Sequence, residues 1–211
     1  MDELTIANIF NVALAIGAGV GLFNGMIHGY TGFGGALIII PVLTFLYGPV
    51  EAIGMVGLIT IFGAMQLARE TAHQATWREL APICIGIAVF TPVGAWFLYH
   101  IDAELIRRSM GGFIMFFALI LLSGWTYRGK RGAVPSVLVG MTAGGINGLT
   151  GVGGPPLGFY FLSSPHPVDV QRANIIICII VLIISMIVTI AIGGGFSWLV
   201  ITRALLIMPA Y

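Results

Sequence analysis

Long apolar runs are the feature of this sequence that most constrains its fold. Residues 80–99, 104–125 and 170–192 each provide the roughly 20 mostly apolar residues that a helix needs to cross the hydrocarbon core of a bilayer. Within lipid, the backbone satisfies its own polar groups only in helices or closed barrels, and these runs lack the alternating pattern of barrel strands. The sequence therefore predicts an all-α, polytopic membrane helical bundle.

Charge and cysteine content narrow the functional classes. Charged residues make up 8% of the chain and hydrophobic ones 58%, which is far from the balance of a soluble domain. A formal net charge of +1 without basic patches argues against a nucleic-acid partner. Cys84 and Cys178 lie inside apolar runs and are expected to pack as small hydrophobic residues. The first apolar segment has no cleavage signature and is expected to remain in the protein.

A glycine-rich segment occurs twice in the chain. Residues 20–35 read VGLFNGMIHGYTGFGG and residues 139–154 read VGMTAGGINGLTGVGG, and nine of the sixteen aligned pairs are identical without a gap. A Pro-Val-acid motif also recurs, at residues 49–51 and 167–169. The duplication extends beyond the glycine motif, so we expect two tandem repeats.

The duplication predicts the domain organisation. We expect a first transmembrane repeat at residues 1–127, a basic cytoplasmic linker at 128–133 and a second transmembrane repeat at 134–211. The second repeat has no counterpart of residues 94–125. It is therefore expected to be incomplete at its C-terminus, as in a shortened chain or a fragment.

Loop charge predicts the orientation of the bundle. Arg69 and Arg78 flank one loop and the linker carries three more basic residues, so the positive-inside rule puts both loops in the cytoplasm. If the short segments 33–47 and 154–162 cross the membrane, each unit has five crossings and the second half is inverted, as in many secondary transporters. If they are re-entrant, four crossings per unit make the repeats parallel. Inversion is the favoured arrangement, in a multi-pass protein of the plasma membrane.

The two glycine motifs are the candidate functional elements. Each interior glycine costs a helix about 1 kcal/mol relative to alanine, so both helices are expected to break there. Pro155 and Pro156 follow the second motif and suit the first turn of a new helix. A helix start inside a membrane protein presents backbone N–H groups and a positive dipole end, both suited to an anion. The pattern therefore predicts an anion site between two facing breaks.

The predicted anion site gives the candidate binding residues, which lie in the two motifs and at one further arginine. They are His28, Thr31, Gly32, Gly34 and Gly35 in the first copy, Asn147, Thr150, Gly151, Gly153 and Gly154 in the second copy, and Arg172. The alternative for the glycines is close helix packing. His28 could equally be a satisfied hydrogen-bonding group, and for Arg172 snorkelling to the interface is favoured over a contact with the anion. Arg203 is expected to be an interfacial anchor.

Three segments resemble the sulfite exporter TauE/SafE family of membrane permeases. They are residues 25–41 (GMIHGYTGFGGALIIIP), the copy at 144–162, and residues 77–122 with basic residues at the loops. The resemblance implies a plasma-membrane permease of two repeats that moves sulfite, a sulfonate or another organosulfur anion. The chain departs from the family pattern at Thr91-Pro92 and at the paired prolines of the second motif. It also lacks the last quarter that the pattern leads us to expect.

The expected function is secondary transport of a small anion, with the anion and the lipid bilayer as partners and homo-oligomerisation left open. An intramembrane enzyme and an anion channel are the alternatives. The sequence contains no nucleophile–base pair and no metal-ligand spacing, so we expect no catalytic residue, no metal and no cofactor.

Overall fold

The computed structural model describes residues 12–31, 35–124, 127, 129 and 131–211, without the side chains of residues 28, 30 and 31. Within these ranges the chain forms nine α-helices and two short 3-10 helices, at Ala72–Gln74 and Met208–Ala210, and no strand. The α-helices are α1 Val12–Thr31, α2 Ala36–Tyr47, α3 Pro49–Thr71, α4 Trp77–His100, α5 Ala103–Leu122, α6 Ala133–Thr150, α7 Gly154–Leu162, α8 Val168–Ile192 and α9 Trp198–Ile207. The all-α prediction is confirmed.

Four of these helices are long and apolar enough to cross a membrane. They are α3 with its 3-10 extension, α4, α5 and α8. Three shorter apolar helices accompany them, at Val12–Ile27, Ala36–Tyr47 and Trp198–Ala210. The chain is a multi-pass integral membrane protein.

The tightest helix contact joins α4 to α6 through glycine. A Cβ on Gly144 would lie 2.8 Å from the carbonyl oxygen of Ile87, and one on Gly140 would overlap the carbonyl oxygen of Ile83. Gly148 continues the same contact two turns after Gly140 and also lies against the α4 backbone. Small residues allow two membrane helices to approach closely in this way. Packing therefore accounts for part of the glycine pattern.

The first motif uses its glycines against α9 in a related way. A Cβ on Gly21 would meet the Ile207 side chain at 3.0 Å, and one on Gly25 would overlap the backbone of Tyr211. Gly21 and Gly25 align with Gly140 and Gly144, two of the three α6 glycines that contact α4. The same pair of motif positions thus receives a neighbouring helix in each half of the chain.

Hydrogen bonds between distant segments identify the two ends of the bundle. At the end that we call the linker end, the Thr76 amide donates to Asn174 Oδ1 at 2.9 Å, and the Tyr127 amide donates to Ser163 Oγ at 2.9 Å. At the opposite end, which we call the distal end, Tyr99 Oη donates to the Ile190 carbonyl at 3.4 Å. α6 starts and α7 finishes near the linker end, so these two helices form a hairpin.

The α1–α2 hairpin has its two open ends at the distal end of the bundle. α1 reaches the linker end at Gly29, whose carbonyl accepts a 3.2 Å hydrogen bond from Arg172. α2 then returns to the distal end, where the Thr44 carbonyl accepts from Arg107 Nη2 at 3.5 Å. The α1–α2 and α6–α7 hairpins therefore enter the bundle from opposite ends, and both turn at a glycine motif.

Cys84 and Cys178 belong to the packing of the bundle. Both thiols are free; Cys178 is fully buried and Cys84 packs against the same apolar cluster. This is the environment that the sequence predicts for them. Arg203 differs from its prediction as an interfacial anchor, because it is buried in α9 and its Nη1 lies 3.5 Å from Glu51 Oε2. Its guanidinium also stacks over the Tyr47 ring.

Candidate functional site

The helix break that the sequence predicts at the second motif is present. α6 ends at Thr150, and Gly151 follows with φ +74°, in the left-handed region that favours glycine. The Gly151 amide donates to the Asn147 carbonyl at 2.7 Å and closes the last turn. α7 then begins at Gly154, with proline at the next two positions. The motif therefore reverses the chain between two helices.

Asn147 and Thr150 hold this break in shape. Asn147 Oδ1 accepts a hydrogen bond from the Gly153 amide at 3.3 Å, and its Nδ2 donates to the Leu182 carbonyl of α8 at 3.2 Å. Thr150 Oγ1 donates to the carbonyl one turn earlier and accepts from the Val152 amide at 3.2 Å. The hydrogen bonds of both side chains are therefore made to the backbone of the break and to the adjoining helices α6 and α8.

The first motif is described only in part. α1 ends at Thr31 and α2 begins at Ala36, directly after Gly35. Gly32 and Gly34 lie outside the described residues, as do the side chains of His28 and Thr31. The binding roles predicted for these residues stay predictions.

A cavity of about 70 Å³ lies where the two motif regions approach each other. The second motif contributes Asn147, Gly151, Gly153 and Gly154 to its wall, and the first helix turn after the first motif contributes Ala36. The remaining wall is mainly apolar and comes from α2, α3 and α8; it includes Ile40, Ile53, Val56, Leu182, Ile183 and Met186. Four of the predicted site residues therefore share one cavity, built from both halves of the chain.

The cavity is small and weakly polar. A cavity of about 150 Å³ holds a benzene molecule, so one of about 70 Å³ suits a smaller solute. Within the described part of its wall there is no ionisable side chain, and the polar side chains are Asn147 and Thr60. Thr60 donates to the Val56 carbonyl at 2.7 Å, so its oxygen lone pairs rather than its proton are available.

Few amide donors face a ligand at the start of α7. Pro155 and Pro156 have no N–H group, and the Gly153 amide is already bonded to Asn147. What the helix start still offers is the positive end of a nine-residue helix dipole. Without a neighbouring cation among the described residues, this field suits a singly charged anion better than a multiply charged one.

Thr150 and Arg172 lie outside this cavity. The Thr150 side chain is buried against its own helix. Arg172 is exposed at the linker end, where it bonds the Gly29 carbonyl at 3.2 Å and so touches the first motif from outside. That position agrees with the favoured interpretation of Arg172 as a residue of the interface.

Two polar features of the bundle were not predicted from the sequence. Asn24 in α1 is fully buried next to Gly35, and the only sequence signal for it is that alanine stands at the aligned position of the second motif. At the linker end, Glu79 binds Arg131 at 3.1 Å and His166 at 3.2 Å. These three residues are 87 positions apart at most, and no local pattern relates them.

Comparison with known proteins gives two matches and one absence. The sequence model of the family described as "Sulfite exporter TauE/SafE" matches residues 17–210. The "Probable sulfite/organosulfonate exporter TauE" of Cupriavidus necator is 29% identical over 154 residues. The match covers 70% of this chain and 60% of the relative, so it spans less than two thirds of the relative's length. No solved structure shows a significant match.

Proposed function

Because the chain belongs to the sulfite exporter TauE/SafE family, we propose that it is a secondary transporter that moves a small organosulfur anion across the plasma membrane. The family description names an exporter rather than a catalyst, and we propose translocation without chemical conversion of the anion. The observation that carries the proposal is the cavity between the two motif regions, inside a bundle whose helices are long enough to span a bilayer.

We also propose that the two halves are inverted copies of one unit. The support is that the α1–α2 hairpin enters from the distal end and the α6–α7 hairpin from the linker end. Aligned glycines contact α9 and Tyr211 in the first half and α4 in the second, so each half packs a later segment of the chain against the same motif positions. An inverted pair of broken helices around a central site is the arrangement that alternating access requires.

The cavity limits the class of substrate. A volume of about 70 Å³ suits sulfite or a comparably small anion better than a bulky sulfonate in this conformation. Because no described lining residue carries a positive charge, we propose that the singly charged, protonated form of sulfite enters the cavity. The name of the Cupriavidus necator relative includes organosulfonates, which would need a wider state of the site.

The direct test is flux of radiolabelled sulfite in proteoliposomes that contain the purified chain. A carrier predicts saturable uptake and efflux, with faster flux at a pH where more sulfite carries a proton. Flux that rises linearly with concentration, together with single-channel conductance, would replace the carrier by an anion channel. No flux of sulfite above that of empty liposomes would contradict the proposal.

Two variants connect the flux to the cavity. Thr60 and Thr91 are both buried and both donate to the carbonyl one turn earlier, but only Thr60 lines the cavity. Thr60→Val should lower flux by removing the oxygen that accepts a hydrogen bond from the proton of the protonated anion, whereas Thr91→Val has the same local chemistry and should transport as the wild type does. Homo-oligomerisation stays open, and mass measurement in nanodiscs tests it.

A further inference from the structure

Asn24 is a buried amide without a hydrogen bond. It lies in the interior of α1 with 0% of its surface exposed. Neither Oδ1 nor Nδ2 finds a hydrogen-bond partner within the described part of the structure. Leaving a buried polar group unpaired is costly, and such groups in folded proteins usually point to a bound water, ion or ligand. The position of this amide therefore needs an explanation.

Asn24 lies directly against the start of α2. A Cβ placed on Gly35, the residue before α2, would overlap Asn24 Oδ1. Among the described residues, no side chain caps the first turn of α2 and no acidic side chain lies in that turn to compensate its positive end. Ala36, the next residue, lines the cavity between the motif regions. The unpaired amide and the uncapped helix start thus meet one residue from the cavity wall.

The second half of the chain lacks this amide. Ala143 occupies the position that aligns with Asn24, and a Cβ on Gly154, the counterpart of Gly35, would meet nothing within 4 Å. The amide near the second break is Asn147, and both ends of it are bonded to the protein. Each half therefore has one asparagine close to its break, but only the asparagine of the first half has an amide without hydrogen-bond partners in the described structure.

We infer that Asn24 is a binding residue for the transported anion at the start of α2, where its Nδ2 donates to an oxygen of that anion. The inference rests on the proposed transport function and adds a polar contact beside the cavity, next to its Ala36 wall. An amide supplies two donors and no charge, so it can hold a small anion without trapping it in a buried ion pair.

Three variants in proteoliposomes test the inference with radiolabelled sulfite. Asn24→Leu keeps the branched shape of the side chain and removes the donor, and the KM for sulfite should rise about tenfold to a hundredfold, as for loss of a hydrogen bond to a charged group. Asn24→Asp replaces the donor by a negative charge and should reduce flux further than Asn24→Leu does. Asn147→Leu is the matched structural control, because it removes two hydrogen bonds that the protein itself makes.

Thermal unfolding of the same three proteins in detergent separates binding from structure. Asn24→Leu should melt no lower than the wild type, while Asn147→Leu should melt well below it. An unchanged KM in Asn24→Leu, or a melting loss as large as that of Asn147→Leu, would overturn the inference. Wild-type flux in Asn24→Asp would also overturn it, because a negative charge at this position should repel a bound anion. If the wild-type chain itself moves no sulfite, the transport proposal fails and this inference fails with it.

Discussion

The contact between α4 and α6 predicts opposite effects for two neighbouring glycines. Gly144 and Gly145 stand side by side in α6, and each can be changed to alanine. A Cβ on Gly144 would lie 2.8 Å from the Ile87 carbonyl oxygen and 2.9 Å from Ile87 Cα, whereas a Cβ on Gly145 would meet nothing within 4 Å. The gain in helix propensity is the same for both changes. Only Gly144→Ala forces the two helices apart.

The size of the difference follows from these distances. Ordinary carbon contacts lie at about 3.5–4.0 Å, so a methyl group on Gly144 needs a shift of about 0.7 Å between two packed backbones. Overpacking of this kind costs typically about 1–3 kcal/mol. Alanine in place of a helical glycine contributes about 1 kcal/mol of stability in both variants. Gly145→Ala should therefore stabilise by up to about 1 kcal/mol. The free energy of unfolding of Gly144→Ala should fall about 1–3 kcal/mol below that of Gly145→Ala.

Equilibrium unfolding in mixed detergent micelles measures this difference. SDS is titrated into purified protein and the helical circular dichroism signal is followed for the wild type and both variants. Since the propensity change is shared, equal unfolding midpoints for the two variants would refute the close approach of α4 and α6. A higher midpoint for Gly144→Ala would refute it as well.

Three further predictions concern the cavity, the second break and the linker end. Thr60→Val should reduce sulfite flux in proteoliposomes while Thr91→Val does not, because only Thr60 lines the cavity. Equal flux in both variants would show that the Thr60 hydroxyl does not contribute to transport. Gly151→Ala should lower the free energy of unfolding by about 1 kcal/mol or more, because Gly151 has φ +74°, and an unchanged midpoint would contradict that conformation. In a double-mutant cycle, Glu79→Gln and Arg131→Gln should show a coupling of about 1 kcal/mol or more, because this ion pair is mostly buried; purely additive effects would count against the contact.

Sequence reasoning was most successful where a local rule applies. The apolar runs predicted helices that the structure places at nearly the same residues, because the length of an apolar run and the demands of lipid on the backbone are local properties. The break at the second motif was predicted for the same reason, since glycine and proline act on the chain at their own positions. Family membership was recognised from the paired motif itself.

The structure brings only some of the predicted site residues together. Asn147 and three glycines of the second motif do line one cavity with the start of α2. Thr150 does not, because its hydroxyl is bonded within its own helix turn, a choice of rotamer that sequence does not reveal. Arg203, expected at the interface, is buried because Glu51 and Tyr47 approach it from other helices.

The sequence by itself determined the class of protein, the positions of the helices and the two places where they break, because hydrophobicity and backbone freedom are properties of short segments. Only the tertiary structure decided which motif glycines pack against a helix and which face the cavity, and which of two asparagines is left without a partner. Those outcomes depend on residues distant in the sequence, such as Ile87 against Gly144 and Leu182 beside Asn147. The close packing of the helices, rather than any local preference, brings them together.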